Sequence, residues 1–288
     1  MPIYNPPLDD IRFVLNEVLK AGALAKEIPD YAEADWDTIG GMLEAVSEFA
    51  RDVAFPLNQS GDKEQCTYNP ADKSVKTPKG FDAAYQQYAA LGLIGMSADP
   101  AYGGMGMPQY LNVAASEMLT AANFSLSSYS GLPGGAYKAL HKFASDTLKD
   151  IYLPKMLSGE WSGTMCLTEP QAGSDLGLIR TKAVPQDDGS HAITGNKIFI
   201  TCGEHDLTRN ICHLVLARLP DAPEGVKGIS LFVVPKFLPD ANGEPGARNP
   251  AFCTGIEHKM GINASSTCSM SFEDAKGWLV GEPHKGMK

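Results

Sequence analysis

The chain has 288 residues, 43% hydrophobic and 20% charged, a balance that excludes a disordered, collagen-like or coiled-coil protein. At roughly 100–200 residues per domain it predicts two domains. Against 34 acidic residues stand 24 basic ones, a net charge of −10 that disfavours binding to duplex nucleic acid or an anionic membrane, so an anionic ligand has to be held by local groups. No apolar run approaches the ~20 residues of a membrane span, and the N-terminal segment shows no export signal. The six scattered cysteines, Cys66, Cys166, Cys202, Cys212, Cys253 and Cys268, form no CxxC pair and read as reduced thiols of a cytoplasmic protein.

In chain order, Ile11 to Leu19 and the stretch around Ala32 predict short helices. Trp36, Ile39, Leu43, Val46, Ala50, Val53 and Leu57 recur at spacings of three and four, which predicts a helix capped by Asp35 with Pro56 near its end. Phe81, Tyr85, Tyr88 and Leu91 predict a second stripe stopping near Gly92. Leu111, Ala114, Ala115, Met118, Leu119 and Ala122 predict a third. Two more helices are expected at 135–144 and 145–157, the latter opened by a Ser-Asp-Thr cap cluster. After Gly159 the texture changes to short β-rich runs, GTMCLT, HAITGNKIFIT, ICHLVLARL, GISLFVVP and CSMSF, with turn residues between them. Leu238 to Pro250 reads as a long polar loop. The expected fold is α+β: an all-helical domain over 1–160, then an antiparallel β-barrel or sandwich over 161–288, because no amphipathic helices separate the strands. Cys212 and His213 are adjacent in one strand and point to opposite faces, which favours plain strand over a metal ligand pair.

The densest chemical signal is CLTEPQAGSDLG, Cys166 to Gly177, where a β run breaks into a turn rich in proline, glycine and hydroxyls. Such a turn exposes backbone N–H groups beside the hydroxyls of Thr168 and Ser174, which suits a phosphate or a heterocycle with polar edges. The same residues also fit a hairpin loop with an Asx-type Asp175. A second run, Gly195 to Gly203, puts Phe199 and Thr201 on one face of a strand, an aromatic platform beside a hydroxyl. No GxSxG occurs, and Gly103-Gly104-Met105-Gly106 does not continue as GxGxxG after a strand, which disfavours a serine hydrolase and a nicotinamide enzyme.

In this order and spacing the two segments resemble the acyl-CoA dehydrogenase family, whose first signature is matched from Cys166 to Asp175. One departure is Leu178, where the family prefers a small residue; Gly177 just before it is expected to preserve the turn. DPAYGGMGM at 99–107 and HKMGINASSTCSMSFEDA at 258–275 are similar to further family segments. PIYNPPLDDIRFVLNEVL, TEPQ, GEHDLT and GWLVGEP resemble a longer bacterial branch that includes enzymes acting on 3-(methylthio)propanoyl-CoA.

The resemblance implies FAD held between helical and β domains and desaturation of an acyl-CoA thioester, a carboxylate taking the α proton while hydride leaves for flavin N5. Carried over, Met165, Leu167 and Thr168 line the flavin, Gly173 and Ser174 meet the pyrophosphate, Phe199 covers the ring and Thr201 holds a polar flavin edge. Phe199 stands where relatives often carry Trp. It further implies an electron-transferring flavoprotein as acceptor and a homodimer or homotetramer. The family's base is a glutamate in a C-terminal helical bundle, and no glutamate here matches it, so no catalytic residue is assigned and the expectation is the first two domains of a longer polypeptide. Glu169 reads as a structural part of the turn, and Glu44 and Glu48 as solvated. An acyl-CoA oxidase of the same fold and a truncated, non-catalytic flavin or acyl-CoA binding module are the alternatives.

Overall fold

The computed structural model describes residues 3–31 and 34–288. The N-terminal arm consists of α1 (Leu8–Phe13), a π-helical turn over Val14–Val18 and α2 (Ala21–Lys26). The helical stretch expected around Ala32 lies outside the described residues at Ala32 and Glu33. Helix α3 (Trp36–Phe49) starts as its sequence requires, with the Asp35 carboxylate accepting from the Thr38 N–H at 2.7 Å, and buries Ile39, Leu43, Val46 and Phe49. Pro56 does not end it. A π-helical turn over Ala50–Ala54 runs on into α4 (Phe55–Glu64), whose first turn tolerates Pro56 because an N–H is not needed there. A small hairpin of β1 (Thr67–Asn69) and β2 (Ser74–Lys76) follows, then α5 (Phe81–Ala90) and α6 (Gln109–Ala122), both where the apolar stripes place them.

Helix α7 (Phe124–Phe143) has 20 residues and starts well before the expected Gly135. Its first half, SLSSYSGLPGG, is poor in helix formers, and packing overrides that preference: Leu126, Tyr129, Pro133, Ala136, Tyr137 and Leu140 are buried at helical spacing. The buried Asn123 side chain caps it, accepting from the Leu126 N–H at 2.9 Å while donating to the Ala54 carbonyl at 3.0 Å. Asn123→Ala is therefore expected to cost about 2 kcal/mol in urea unfolding, since a cap and a buried carbonyl's partner are lost together; a change below a few tenths would show that packing alone starts α7. Helix α8 (Asp146–Leu157) opens with Ser145 as its cap.

The second half is β-rich but not wholly antiparallel. Strands β3 (Trp161–Cys166), β4 (Lys182–Pro185), β5 (His191–Thr201), β6 (Asn210–Arg218), β7 (Ile229–Pro235), β10 (Ala251–Ile256) and β11 (Thr267–Val280) form one seven-stranded sheet. A separate pair, β8 (Phe237–Pro239) and β9 (Pro245–Arg248), occupies the stretch expected to be loop. Strands β3 and β6 pair in parallel from Trp161 opposite Asn210 to Cys166 opposite Val215, and β4 meets β6 in parallel at Lys182 opposite Arg218. The expectation of an antiparallel barrel or sandwich is thus corrected to a mixed sheet that is not a clear barrel. The absence of amphipathic helices does not force antiparallel pairing, because the β4–β5 hairpin itself supplies the crossover that returns the chain parallel to β3.

The apolar stripes of α3, α5, α6 and the first half of α7 make one core, joined by Cys202, Leu207 and Ala264 from the second half. A second core seats Ala136, Leu140, Leu153 and Met156 of α7 and α8 against Trp161, Leu214 and Val233 of the sheet. Between its own strands the sheet buries Ile193, Val215, Phe232, Met270 and Phe272. At Gly163 a Cβ would lie 2.6 Å from the Cβ of Ala136, so β3 is held directly against α7. No helix among the described residues is long and apolar enough to cross a membrane.

Candidate functional site

Strand β3 runs from this helix–sheet joint into the segment Leu167–Asp175. The segment is not a hairpin, since β3 and β4 are not neighbours in the sheet; it is the loop by which the chain leaves β3 for a position beyond β6. Its turn closes on itself through Glu169 and Ala172, each N–H donating to the other's carbonyl at 3.0 and 2.9 Å. The Asx geometry expected at Asp175 is present: its carboxylate accepts from the Gly177 N–H at 2.9 Å and starts a short helical turn over Leu176–Leu178. Leu178 points outward, 55% exposed, so the departure from the family signature is accommodated at the surface.

The candidate residues lie beside buried neighbours. Met165, Leu167 and Thr168 are half-buried while Cys166 and Glu169 are enclosed, and Gly173 and Ser174 are exposed. Strand β5 meets this loop where the Ile198 N–H donates to the Thr168 carbonyl at 2.9 Å. There β5 is bulged: its register with β11 shifts between Cys268 and Met270, and Phe199 takes a left-handed φ of 59°. A bulky residue with that backbone, 57% exposed, is an outlier of the kind that collects at functional sites. Thr201 follows after the buried Ile200 and borders a cavity of about 600 Å³ walled mainly by α6 and α7, among them Asn112, Ser116, Ser128 and Gly131, with Tyr88, Leu93 and Ile94 completing it. Met165 borders a second cavity of about 580 Å³ with Lys142, Phe143 and Val280. The structure thus brings the two sequence segments together at Thr168 and Ile198, with one cavity reached at Thr201 and the other at Met165. The N–H groups of Gly173 and Ser174 make no backbone hydrogen bond among the described residues, and a Cβ at Gly173 would meet nothing within 4 Å.

Glu169 is the best-held side chain of the site. Its carboxylate accepts from the Thr181 N–H and hydroxyl at 3.0 and 2.6 Å, the Arg180 N–H at 2.7 Å, Gln171 at 2.6 Å and the Lys197 ammonium at 2.9 Å. Burial alone would raise its pKa. The hydrogen bonds from Thr181 and Arg180 together with the Lys197 charge outweigh this and hold it down to about 2. A carboxylate so committed is ionised structure and not a general base. Lys197, fully buried, also donates to the Leu167 carbonyl at 3.0 Å, and sequence reasoning passed over it. The available signal was a lysine at an inward position of an apolar strand, on the same side as Ile193.

Glu44 and Glu48 are exposed, as expected. Cys212 and His213 are both buried in β6, where His213 Nδ1 lies 2.9 Å from the Thr164 hydroxyl; no cluster able to hold a metal ion occurs among the described residues. All six cysteines are buried and free.

A helical layer followed by a mixed sheet, with a glycine- and hydroxyl-bearing loop bonded to the next strand but one at Ile198, beside the exposed Phe199, defines an α+β protein. Residues 41–160 match the sequence profile of the acyl-CoA dehydrogenase N-terminal domain and residues 164–275 that of the middle domain. The chain belongs to the acyl-CoA dehydrogenase family. It is 45% identical over 285 residues to a 3-methylmercaptopropionyl-CoA dehydrogenase of Ruegeria pomeroyi, covering 99% of this chain and 48% of that protein. It is 42% identical over 293 residues to a broad-specificity linear acyl-CoA dehydrogenase of Mycobacterium tuberculosis, covering 100% of this chain and 48% of that one. The chain therefore spans about half the length of these curated relatives. Among solved structures, butyryl-CoA dehydrogenase from Megasphaera elsdenii shares the fold, with a TM-score of 0.69 and 24% identity over 86% of this chain and 59% of that one.

Proposed function

We propose that this chain is the flavin-binding part of an FAD-dependent acyl-CoA dehydrogenase, with residues 1–160 as its helical domain and 161–288 as its β domain. The observation that carries the reading is the latching of the Thr168 loop to β5 beside the exposed, left-handed Phe199, with unengaged N–H groups at Gly173 and Ser174. The residues fit the cofactor: an aromatic face for a ring, hydroxyls at Thr168 and Thr201 for polar ring edges, and two amides and a hydroxyl at Gly173 and Ser174 for phosphate oxygens. Met165 and Leu167 add apolar contact. When bound, FAD supplies the hydride acceptor for α,β-desaturation of an acyl-CoA. The part of this chain is to bind and orient the flavin and, through α6 and α7, to wall the space beside Thr201 from water. Glu169 holds the loop and takes no proton. Identity to acyl-CoA dehydrogenases along the whole chain supports acyl-CoA as substrate; the family reading adds an electron-transferring flavoprotein as acceptor and a homodimer or homotetramer. Six free, buried thiols support a cytoplasmic protein.

Titration with FAD, followed by flavin fluorescence and visible absorbance, tests this. Phe199→Ala is expected to weaken binding by about 1–3 kcal/mol, the scale of aromatic stacking, and Ser174→Ala by less. Unchanged affinity in both variants would remove these residues from the site, and protein that takes up no FAD would overturn the assignment.

A further inference from the structure

The candidate flavin residues sit on two separate pieces of chain, the loop after β3 and the bulge of β5, and any ring held between them needs those pieces at one fixed spacing. Two ties set that spacing. One is the Ile198 N–H to the Thr168 carbonyl. The other is Lys197, whose ammonium reaches across from β5 to the Leu167 carbonyl at 3.0 Å and the Glu169 carboxylate at 2.9 Å, with both charged side chains buried. The two ties bracket Leu167, Thr168 and Glu169 on one side and Lys197 and Ile198 on the other, immediately before the left-handed turn of the backbone at Phe199.

We infer that Lys197 is a positioning residue for the flavin, its buried ammonium setting where the Thr168 loop stands relative to Phe199. This rests on the proposed flavin reading and deepens it. An ion pair is a costly way to stabilise an interior, since apolar residues of similar volume commonly do as well or better. What the ion pair adds is direction. Lys197 gives one donor to a backbone carbonyl of the loop and another to Glu169, whose other partners are Gln171 within the loop and Arg180 and Thr181 just ahead of β4. The loop is thereby tied to two strands at once.

The test uses Lys197→Met, the paired variant Glu169→Gln with Lys197→Met, and Asn249→Ala as a control. Asn249 is a buried side chain bonded to the backbone at Pro235 and Lys276, well outside the candidate site in sequence. Residues that orient ligand-touching groups in metal sites are worth about 10–100-fold in affinity, and Lys197→Met is expected to weaken FAD by about tenfold or more on that scale. At saturating FAD the visible absorption and circular dichroism of the bound flavin should change. The paired variant removes both charges and should regain stability, yet it still lacks the tie to Leu167, so weak binding and the altered spectrum should persist. Asn249→Ala should lose stability with an unaltered flavin spectrum.

If the paired variant recovers wild-type affinity and spectrum along with its stability, Lys197 only neutralises Glu169 and the inference falls. It also falls if Lys197→Met binds and colours FAD like wild type, or if Asn249→Ala alters the spectrum in the same way. Wild-type protein without FAD affinity would overturn the functional reading, and this inference with it, whereas the other outcomes leave that reading standing.

Discussion

Glu169→Gln is expected to lower the unfolding free energy at neutral pH by about 3–5 kcal/mol, because it leaves the Lys197 ammonium buried without its counter-charge. The expectation carries a definite pH dependence. The folded-state carboxyl titrates at about 2 against an ordinary 4.5, so between those values the unfolded chain binds more protons than the folded one. The stabilisation is complete above about pH 4.5 and is lost as the pH falls toward 2, a difference worth about 3 kcal/mol. Urea unfolding at intervals from pH 7 to pH 2.5 should therefore show wild type converging on the variant as Glu169 protonates. A gap that stays constant across this range would mean that shape, and not the ionised carboxylate, stabilises the turn.

Trp161→Ala is expected to cost about 3–5 kcal/mol, as for other fully buried large aromatics, and to lower the thermal midpoint by roughly 10 °C. Trp161 has no exposed surface and begins β3 just after Gly159, whose φ of 77° turns the chain from α8 into the sheet. Its ring stands edge-on to Tyr152 of α8 at 5.8 Å, inside the core that also holds Leu153, Met156 and Leu214. Removing it opens a cavity between helix and sheet that rigid β pairing on one side and α8 on the other cannot close. Since β3 leads directly into Leu167, limited proteolysis within Cys166–Asp175 should quicken in the variant. Unchanged cleavage, with the midpoint lowered, would show that the ties to Ile198, Lys197 and Glu169 hold the loop without the Trp161 core.

Much of the helical half was legible because its information is local. The Asp35 and Ser145 caps, the stripe of α5 and the stripe of α6 each depend on residues within a few turns of one another. The limits of β5, His191 to Thr201, were legible for the same reason, bounded by turn residues on both sides. The first half of α7 was hidden because Ser, Gly and Pro carry little helical preference, and its burial against α5 and the sheet outweighs that. The short strands β8 and β9 were hidden inside a polar run, since they pair only with each other and bury little.

At the site, local residue order specified the chemistry on offer: a loop of small and hydroxyl residues from Thr168 to Ser174, an aromatic at Phe199, a hydroxyl at Thr201 and an Asx turn at Asp175. How these groups stand together depends on the pairing of distant strands. The parallel pairing of β3 with β6 sends the loop across the sheet end, and the bulge that gives Phe199 its left-handed backbone is defined against β11. The five donors that collect on Glu169 come from Gln171, Arg180, Thr181 and Lys197, residues as far as 28 positions along the chain. Periodicity records which face a side chain occupies, but partner choice between strands depends on register and crossover over long separations, and a buried charge finds its counter-ion only once those strands are laid side by side.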